Sequence, residues 1–384
     1  MATTQYLSYG MKQPKILFLV VIALLPLILV SCISGGTQPA RGWSGTAVHD
    51  GIIYVGTVDG RVVAINSSTQ SQQWDYTFTS TTIYTTPIVD GALVYVGTYS
   101  GKVYALSIVD GEDIWVYPRE GYIGAIVGSP VIADGTIYIS SSDGKIYALA
   151  TTNGKREWET DSPLADKLWT SPVIHGGKLY VNTFDGHIYA LSLETGELSD
   201  WSFESQAGFA SSPVIYEDTI FLGSFDRHLY AVQIGSDVPM WKFPQENPAG
   251  NWFWASPIVN EGIVYAGCLD GKLYAISAET GEELWQFESK DSSGKPAPIV
   301  SSPVLMDNLL IVTNESGTVY VFDLSAELGD ETEPLKTISI GAVVRSPFCA
   351  QEGLVYIRGE DNWIYIVDID KGELSWKVSL TIEE

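Results

Sequence analysis

With 384 residues, 45% of them hydrophobic, and with 12 Trp and 21 Tyr, the chain has ample apolar area for a large core. Only 17% of residues are charged and the formal net charge is −25, so the chain repels phosphate backbones, and no basic patch with interleaved aromatics offsets this. These numbers exclude nucleic-acid binding, and the acidity itself reads as a solubility device.

The first element is an export signal. Lys12 and Lys15 precede a fifteen-residue apolar run from Ile16 to Val30. About 20 apolar residues are needed to cross a bilayer, whereas a run of 7 to about 15 behind a positive segment fits a secretory signal. The run ends in Leu29-Val30-Ser31-Cys32, which resembles the lipobox of bacterial lipoproteins. That resemblance implies a signal peptide over residues 1–31 and a diacylglyceryl and an N-acyl chain on Cys32, with Met11 an alternative start. Losing Lys12 and Lys15 would take the net charge to −27. Two or more acyl chains make a stable anchor. Residues 32–42 are small and punctuated by Gly and Pro, which predicts a flexible leash.

From residue 43 to 384 one unit repeats. A polar turn followed by an alternating apolar run, as in Ser142-Asp143-Gly144-Lys145-Ile146-Tyr147-Ala148-Leu149, returns eight times, centred on Gly60, Gly101, Gly144, Gly186, Arg227, Gly271, Gly317 and Asn362. Successive centres lie 41, 43, 42, 41, 44, 46 and 45 residues apart. A repeat at this period means a solenoid or a propeller. Each copy holds four short runs rich in β-branched and aromatic residues. In the third copy they start at Ser129, Thr136, Lys145 and Arg156, separated by Asp134-Gly135, Asp143-Gly144 and Asn153-Gly154. Such dipeptides supply the positive φ of tight hairpins, so each unit is a four-stranded antiparallel meander. Proline starts the first run in seven copies, as expected for an inner strand with one unpaired edge.

The fourth run carries Trp74, Trp115, Trp158, Trp201, Trp241, Trp285 and Trp376. Seven large rings at one repeat position must fill one kind of pocket, between neighbouring units. The seventh copy has no Trp, and Glu327 to Leu335 is acidic there, which predicts a frayed outer strand unless Leu335 or a neighbour fills the pocket. The Gly-x-x-x-Trp spacing of Gly111 with Trp115, Gly154 with Trp158, Gly281 with Trp285 and Gly372 with Trp376 resembles the tryptophan-docking motif of the pyrroloquinoline-quinone-type propellers. The resemblance implies an all-β, eight-bladed β-propeller of four-stranded antiparallel blades.

Two branches of that family differ in chemistry. The quinone-dependent alcohol dehydrogenases are larger, with long insertions, a vicinal disulfide and bound calcium, whereas this chain has no Cys-Cys pair and no long insertion. The BamB-like lipoproteins, which scaffold outer-membrane β-barrel assembly, match in length, lipobox and short loops. The expectation is a non-catalytic, lipid-anchored scaffold for an envelope protein, a β-barrel assembly component among the candidates. It would sit on the outer membrane, or on the outer face of the cytoplasmic membrane in a host without one. The alternative is a dehydrogenase-like enzyme binding the quinone or another small ligand. BamB-like chains complete their last blade with an N-terminal Trp strand, but here the last repeat carries its own Trp376, so the ring is expected to close without strand exchange.

No catalytic, cofactor or metal residues are assigned. His187 and His228 share one repeat slot, and Asp59, Asp143, Asp185, Asp226, Asp270 and Asp361 share another; both sets read as turn chemistry. Nothing in the sequence assembles a nucleophile, a base and an orienting group. Cys268 falls where Thr57, Thr98 and Ser224 stand, and Cys349 is aligned with Ile132, Ile174 and Ile215, so both read as buried thiols with no disulfide. The longest links between units, Lys242 to Trp254 and Gln286 to Val300, point to binding, because variable loops on a rigid scaffold carry function. Trp252, Phe253 and Trp254 form the candidate partner-binding loop.

Overall fold

A computed structural model describes residues 44–164, 166–326, 328–329 and 332–381, and the signal, Cys32 and the leash lie outside these. The described residues contain no helix and form eight four-stranded antiparallel sheets. The blades run Thr46–Thr77, Ile88–Tyr117, Val131–Glu159, Val173–Glu204, Val214–Phe243, Ile258–Glu288, Val304–Ser339 and Cys349–Ser379. The turn residues behave as their chemistry requires. Asp134 and Gly135 take φ of 48° and 75°, closing the hairpin that pairs Thr136 with Ala133.

Eight apolar clusters hold the ring, each drawn from two successive blades, the last joining blade 8 to blade 1. Two devices recur at the junctions. In the first, a Trp from the outer strand lies on the glycine of the next blade. A Cβ on Gly154 would stand 2.4 Å from Trp115, and one on Gly111 would stand 2.5 Å from Trp74. The indole Nε1 of Trp115 donates to Thr151 O at 2.8 Å, and Trp74, Trp158, Trp201 and Trp241 donate to the matching carbonyls of Ile108, Leu193, Ser236 and Ala278. Trp285 is buried against Phe322, and Trp376 packs into the cluster that joins blades 8 and 1.

The second device is an apolar plug four residues before the proline slot. Ile83, Ile126, Leu168, Phe209, Phe253, Ile299 and Val344 are all fully buried there. The plug requires a small residue at the end of the second strand. A Cβ on Gly56, Gly97 or Gly267 would lie 2.3–2.5 Å from Ile83, Ile126 or Ile299. Blade 8 breaks the rule with Arg358, whose side chain is itself buried. Burial pulls its pKa down to about 10, against the opposing fields of Glu360 and Asp59.

The Ser-Pro dipeptides also find a reason. The backbone N–H of Thr86 donates to Ser129 Oγ at 2.9 Å, that of Ser129 to Ser171 Oγ at 2.8 Å, and that of Ser171 to Ser212 Oγ at 3.0 Å. Each hydroxyl thus satisfies an amide of the preceding blade beside the edge where proline removes a donor.

One expectation holds and two are corrected. All four strands of blade 8 come from its own repeat, so no strand is exchanged. The 8/1 seam is held by side chains instead, with Thr46 Oγ1 donating to Tyr356 O at 2.7 Å and Arg61 donating to Leu380 O. The alignment of Cys349 with Ile132, Ile174 and Ile215 is corrected. Cys349 pairs with Tyr356 as Val131 pairs with Tyr138, so it stands in the slot of Val131, Val173 and Val214, and Phe348 takes the proline slot. Blade 7 keeps an outer strand, Lys336–Ser339, in which Lys336 faces Val321 as Trp285 faces Ala275. Lys336 is therefore the neighbour in the Trp position. Its stem lies 3.2 Å from a Cβ built on Gly372, and its Nζ donates to Ile369 O at 2.6 Å, the place an indole would take. Leu335 is exposed.

Candidate functional site on the linker face

In a meander, the turn between second and third strands and the link to the next blade must leave on the same face. Here the two are tied together. The backbone N–H of Tyr99 donates to Thr82 O, Phe225 to Gly208 O, Leu269 to Trp252 O and Glu360 to Val343 O. This linker face is built from segments far apart in sequence but equivalent in repeat position.

The expected loop divides on this face. Phe253 is fully buried between blades 5 and 6, with Phe243 at 6.3 Å and Tyr274 at 5.7 Å. Its backbone and Cβ also lie within 2.0–2.6 Å of where a Cβ on Gly223 would be, so no partner can reach it. Its place in the partner-binding loop is corrected: it is the junction plug. Trp252 and Trp254 are half-buried on the surface, and both meet Phe225, at 5.5 and 6.3 Å. Phe225 stacks on Phe184 at 5.5 Å, and Phe184 meets Trp169 edge-on at 5.1 Å. Five half-buried aromatic rings thus form one arc across blades 4, 5 and 6. Tyr84 and Tyr99 make a further pair in blade 2, at 5.2 Å.

Trp169 and Trp254 come from one repeat position, three residues before the proline slot, where each link turns into its inner strand around the axis. Phe184 and Phe225 come from another, just after the end of the second strand. The repeat offset is the signal that links them, and reading the loop as a contiguous triplet missed it. Trp169 Nε1 is buried without an acceptor. In blade 8 the first of these positions is Arg345, whose Nε donates to Glu315 at 2.5 Å and whose Nη1 donates to Glu360 at 2.8 Å. One side of the face is therefore aromatic and the other carries an arginine clamped by two carboxylates.

The remaining candidates are turn anchors. Asp143, Asp226, Asp270 and Asp361 each accept a hydrogen bond from the Tyr four residues on, at 2.5–2.9 Å. Burial, with the hydrogen bond to Asp143 second, drives the Tyr147 phenol above its ordinary range. His187 Nδ1 lies 3.1 Å from Asp185, and His228 Nδ1 lies 3.3 Å from Asp226. Among the described residues no group of three His, Cys, Asp or Glu stands together to hold a metal ion. Cys268 and Cys349 are free thiols, and burial pushes the Cys349 thiol up to about 11.

No curated protein matches the chain by sequence. Solved structures do match in fold. BamB from Moraxella catarrhalis is 17% identical, with a TM-score of 0.66 over 84% of this chain and 93% of that one. The computationally designed Ika8 protein is 16% identical, with a TM-score of 0.68 over 86% and 96%. Quinohemoprotein alcohol dehydrogenase from Comamonas testosteroni is 14% identical, with a TM-score of 0.63 over 85% and 71%. At these identities the likeness is one of fold alone, shared by proteins of different chemistry. The family model described as outer membrane protein assembly factor BamB matches residues 34–233 and 161–378, so the chain belongs to that family of β-propellers.

Proposed function

We propose that the protein is a non-catalytic scaffold, anchored through acylated Cys32 to a membrane of the cell envelope, that binds a partner envelope protein through its linker face. Membership of the BamB family supports an assembly role. The observation that carries the binding reading is the aromatic arc of Trp169, Phe184, Phe225, Trp252 and Trp254. Half-buried aromatic rings on a rigid support present large contact area at small entropic cost, which is why they dominate binding hot spots.

The fold match to an alcohol dehydrogenase favours a second reading, in which the face holds pyrroloquinoline quinone. That ligand carries three carboxylates. Arg345 is already clamped between Glu315 and Glu360, so its surroundings repel an additional carboxylate and do not fit the quinone.

The test combines two measurements on detergent-extracted protein. Replacing Trp252 and Trp254 by Ser is expected to abolish co-purification of a defined envelope partner while leaving the melting temperature nearly unchanged. Adding the quinone with calcium is expected to leave that temperature unmoved, and a large upward shift with dye-linked alcohol oxidation would establish the enzyme reading instead.

A further inference from the structure

The outer rim between blades 2 and 3 carries a second feature, separate from the aromatic arc. A groove of about 670 Å³ runs between the end of the blade 2 outer strand and the third turn of blade 3. The ring of Tyr117 and Pro118 form part of its wall, and Arg119, Lys155 and Arg156 line it with one carboxylate, Glu120. Arg156 is engaged by Glu159 at 2.5 Å, while Arg119 and Lys155 make no ion pair among the described residues.

The repeat shows how unusual this charge is. The residue after the docking glycine is Glu112 in blade 2, Glu197 in blade 4, Glu282 in blade 6 and Glu373 in blade 8, but Lys155 in blade 3. The residue two before the docking Trp is Asp113 in blade 2 and Glu283 in blade 6, but Arg156 in blade 3. Arg119 stands where blades 3, 4 and 6 have Ser162, Ser205 and Ser289. Turn and packing geometry are common to these blades, so structure alone does not require the reversal. In a chain of net charge −25, Arg119, Lys155 and Arg156 outnumber Glu120 and Glu159 around this groove, a local exception to the repelling field.

We propose that this groove binds the phosphate of an anionic phospholipid headgroup. Guanidinium forks and an ammonium match phosphate oxygens. Val116, the Tyr117 ring and Pro118 supply apolar surface for the glycerol region. The proposal does not rest on the partner-binding reading.

Native mass spectrometry of the full chain in neutral detergent tests it, with phosphatidylglycerol, phosphatidylcholine and sn-glycerol 3-phosphate as probes. Phosphatidylglycerol is expected to bind, and the K155E/R156D variant to weaken it about tenfold or more. That variant writes the Glu112-Asp113 of blade 2 into blade 3, so folding is expected to survive, and an unchanged melting temperature checks this. Arg119→Ser, matching its sibling blades, is expected to weaken binding more mildly and serves if the double variant fails to fold. Equal binding of glycerol phosphate supports the phosphate site but assigns it to a soluble ligand, overturning the lipid source. Equal binding of phosphatidylcholine, no binding, or loss of the same size in a distant Lys295→Glu control overturns the site.

Discussion

If junction packing holds the ring, replacing Trp115 by Ala must unfold it easily. Trp115 is buried, its indole donates to Thr151 O at 2.8 Å, and its ring lies on Gly154 with Tyr95 at 5.8 Å. Deleting a buried Trp side chain costs about 3–5 kcal/mol, because the glycine beneath cannot move up to fill the space. Thr151 O keeps a second donor, Tyr95 Oη at 3.2 Å, so the lost hydrogen bond adds at most about 1 kcal/mol. The sum, roughly 4 kcal/mol, is a large share of the stability of a typical domain. Urea unfolding followed by Trp fluorescence, with a matched Trp252→Ala control, measures it. The control residue is half-exposed and its loss is expected to cost under about 1 kcal/mol. A Trp115→Ala loss no larger than that of the control would refute the docking account.

Phe253→Ala is expected to destabilise by about 3–5 kcal/mol, unlike Trp252→Ala or Trp254→Ala, because only Phe253 fills a junction; equal losses in urea unfolding would return it to the interface. Lys336→Trp is expected to raise the urea midpoint, since Gly372 is already the platform an indole needs, and a lowered midpoint would show that the two carbonyl contacts of Lys336 matter more. For Asp59, burial opposes ionisation, but hydrogen bonds from Thr57 and Arg61 and the charge of Arg61 outweigh it, and the carboxyl sits below its ordinary range. A depressed folded pKa contributes stability above the unfolded value of about 3.9 that is lost as pH falls through the folded value. Asp59→Asn should therefore lower stability at pH 7 and flatten its fall below about pH 4, and parallel acid-unfolding curves for the two proteins would contradict this. Iodoacetamide at pH 8 is expected to label neither Cys268 nor Cys349 in the native protein, because burial keeps both thiols neutral; fast labelling would show that the junctions open.

The repeat made most of the fold legible. Asp-Gly turns, alternating strands, Ser-Pro starts and docking Trp residues recur in phase, and each has a local physical reason that survives folding. Legibility failed where the register slipped. In blade 7 the long acidic stretch before Lys336 hides the fact that a lysine stem can lie on Gly372 and carry its ammonium to an indole's carbonyl. In blade 8 Pro347 precedes its usual slot by one residue, which displaced the alignment of Cys349. The plug series from Ile83 to Val344 was present in the sequence at a constant offset and would have placed Phe253 in the core. The aromatic arc was harder to see, because its rings come from several blades and no contiguous segment contains it. Only the packing of successive blades brings Trp169, Phe184 and Phe225 into one arc with Trp252 and Trp254.

The most direct measurement of the scaffold reading is site-specific photo-crosslinking in the native envelope. A photo-reactive residue is placed at Trp252 or Phe225 on the linker face, or at Gly135 or Gly262 in the turns of the opposite face. The account predicts one discrete adduct, the same protein from both linker-face positions and none from the opposite face. Adducts of equal yield from both faces, or none from Trp252 and Phe225, would contradict it.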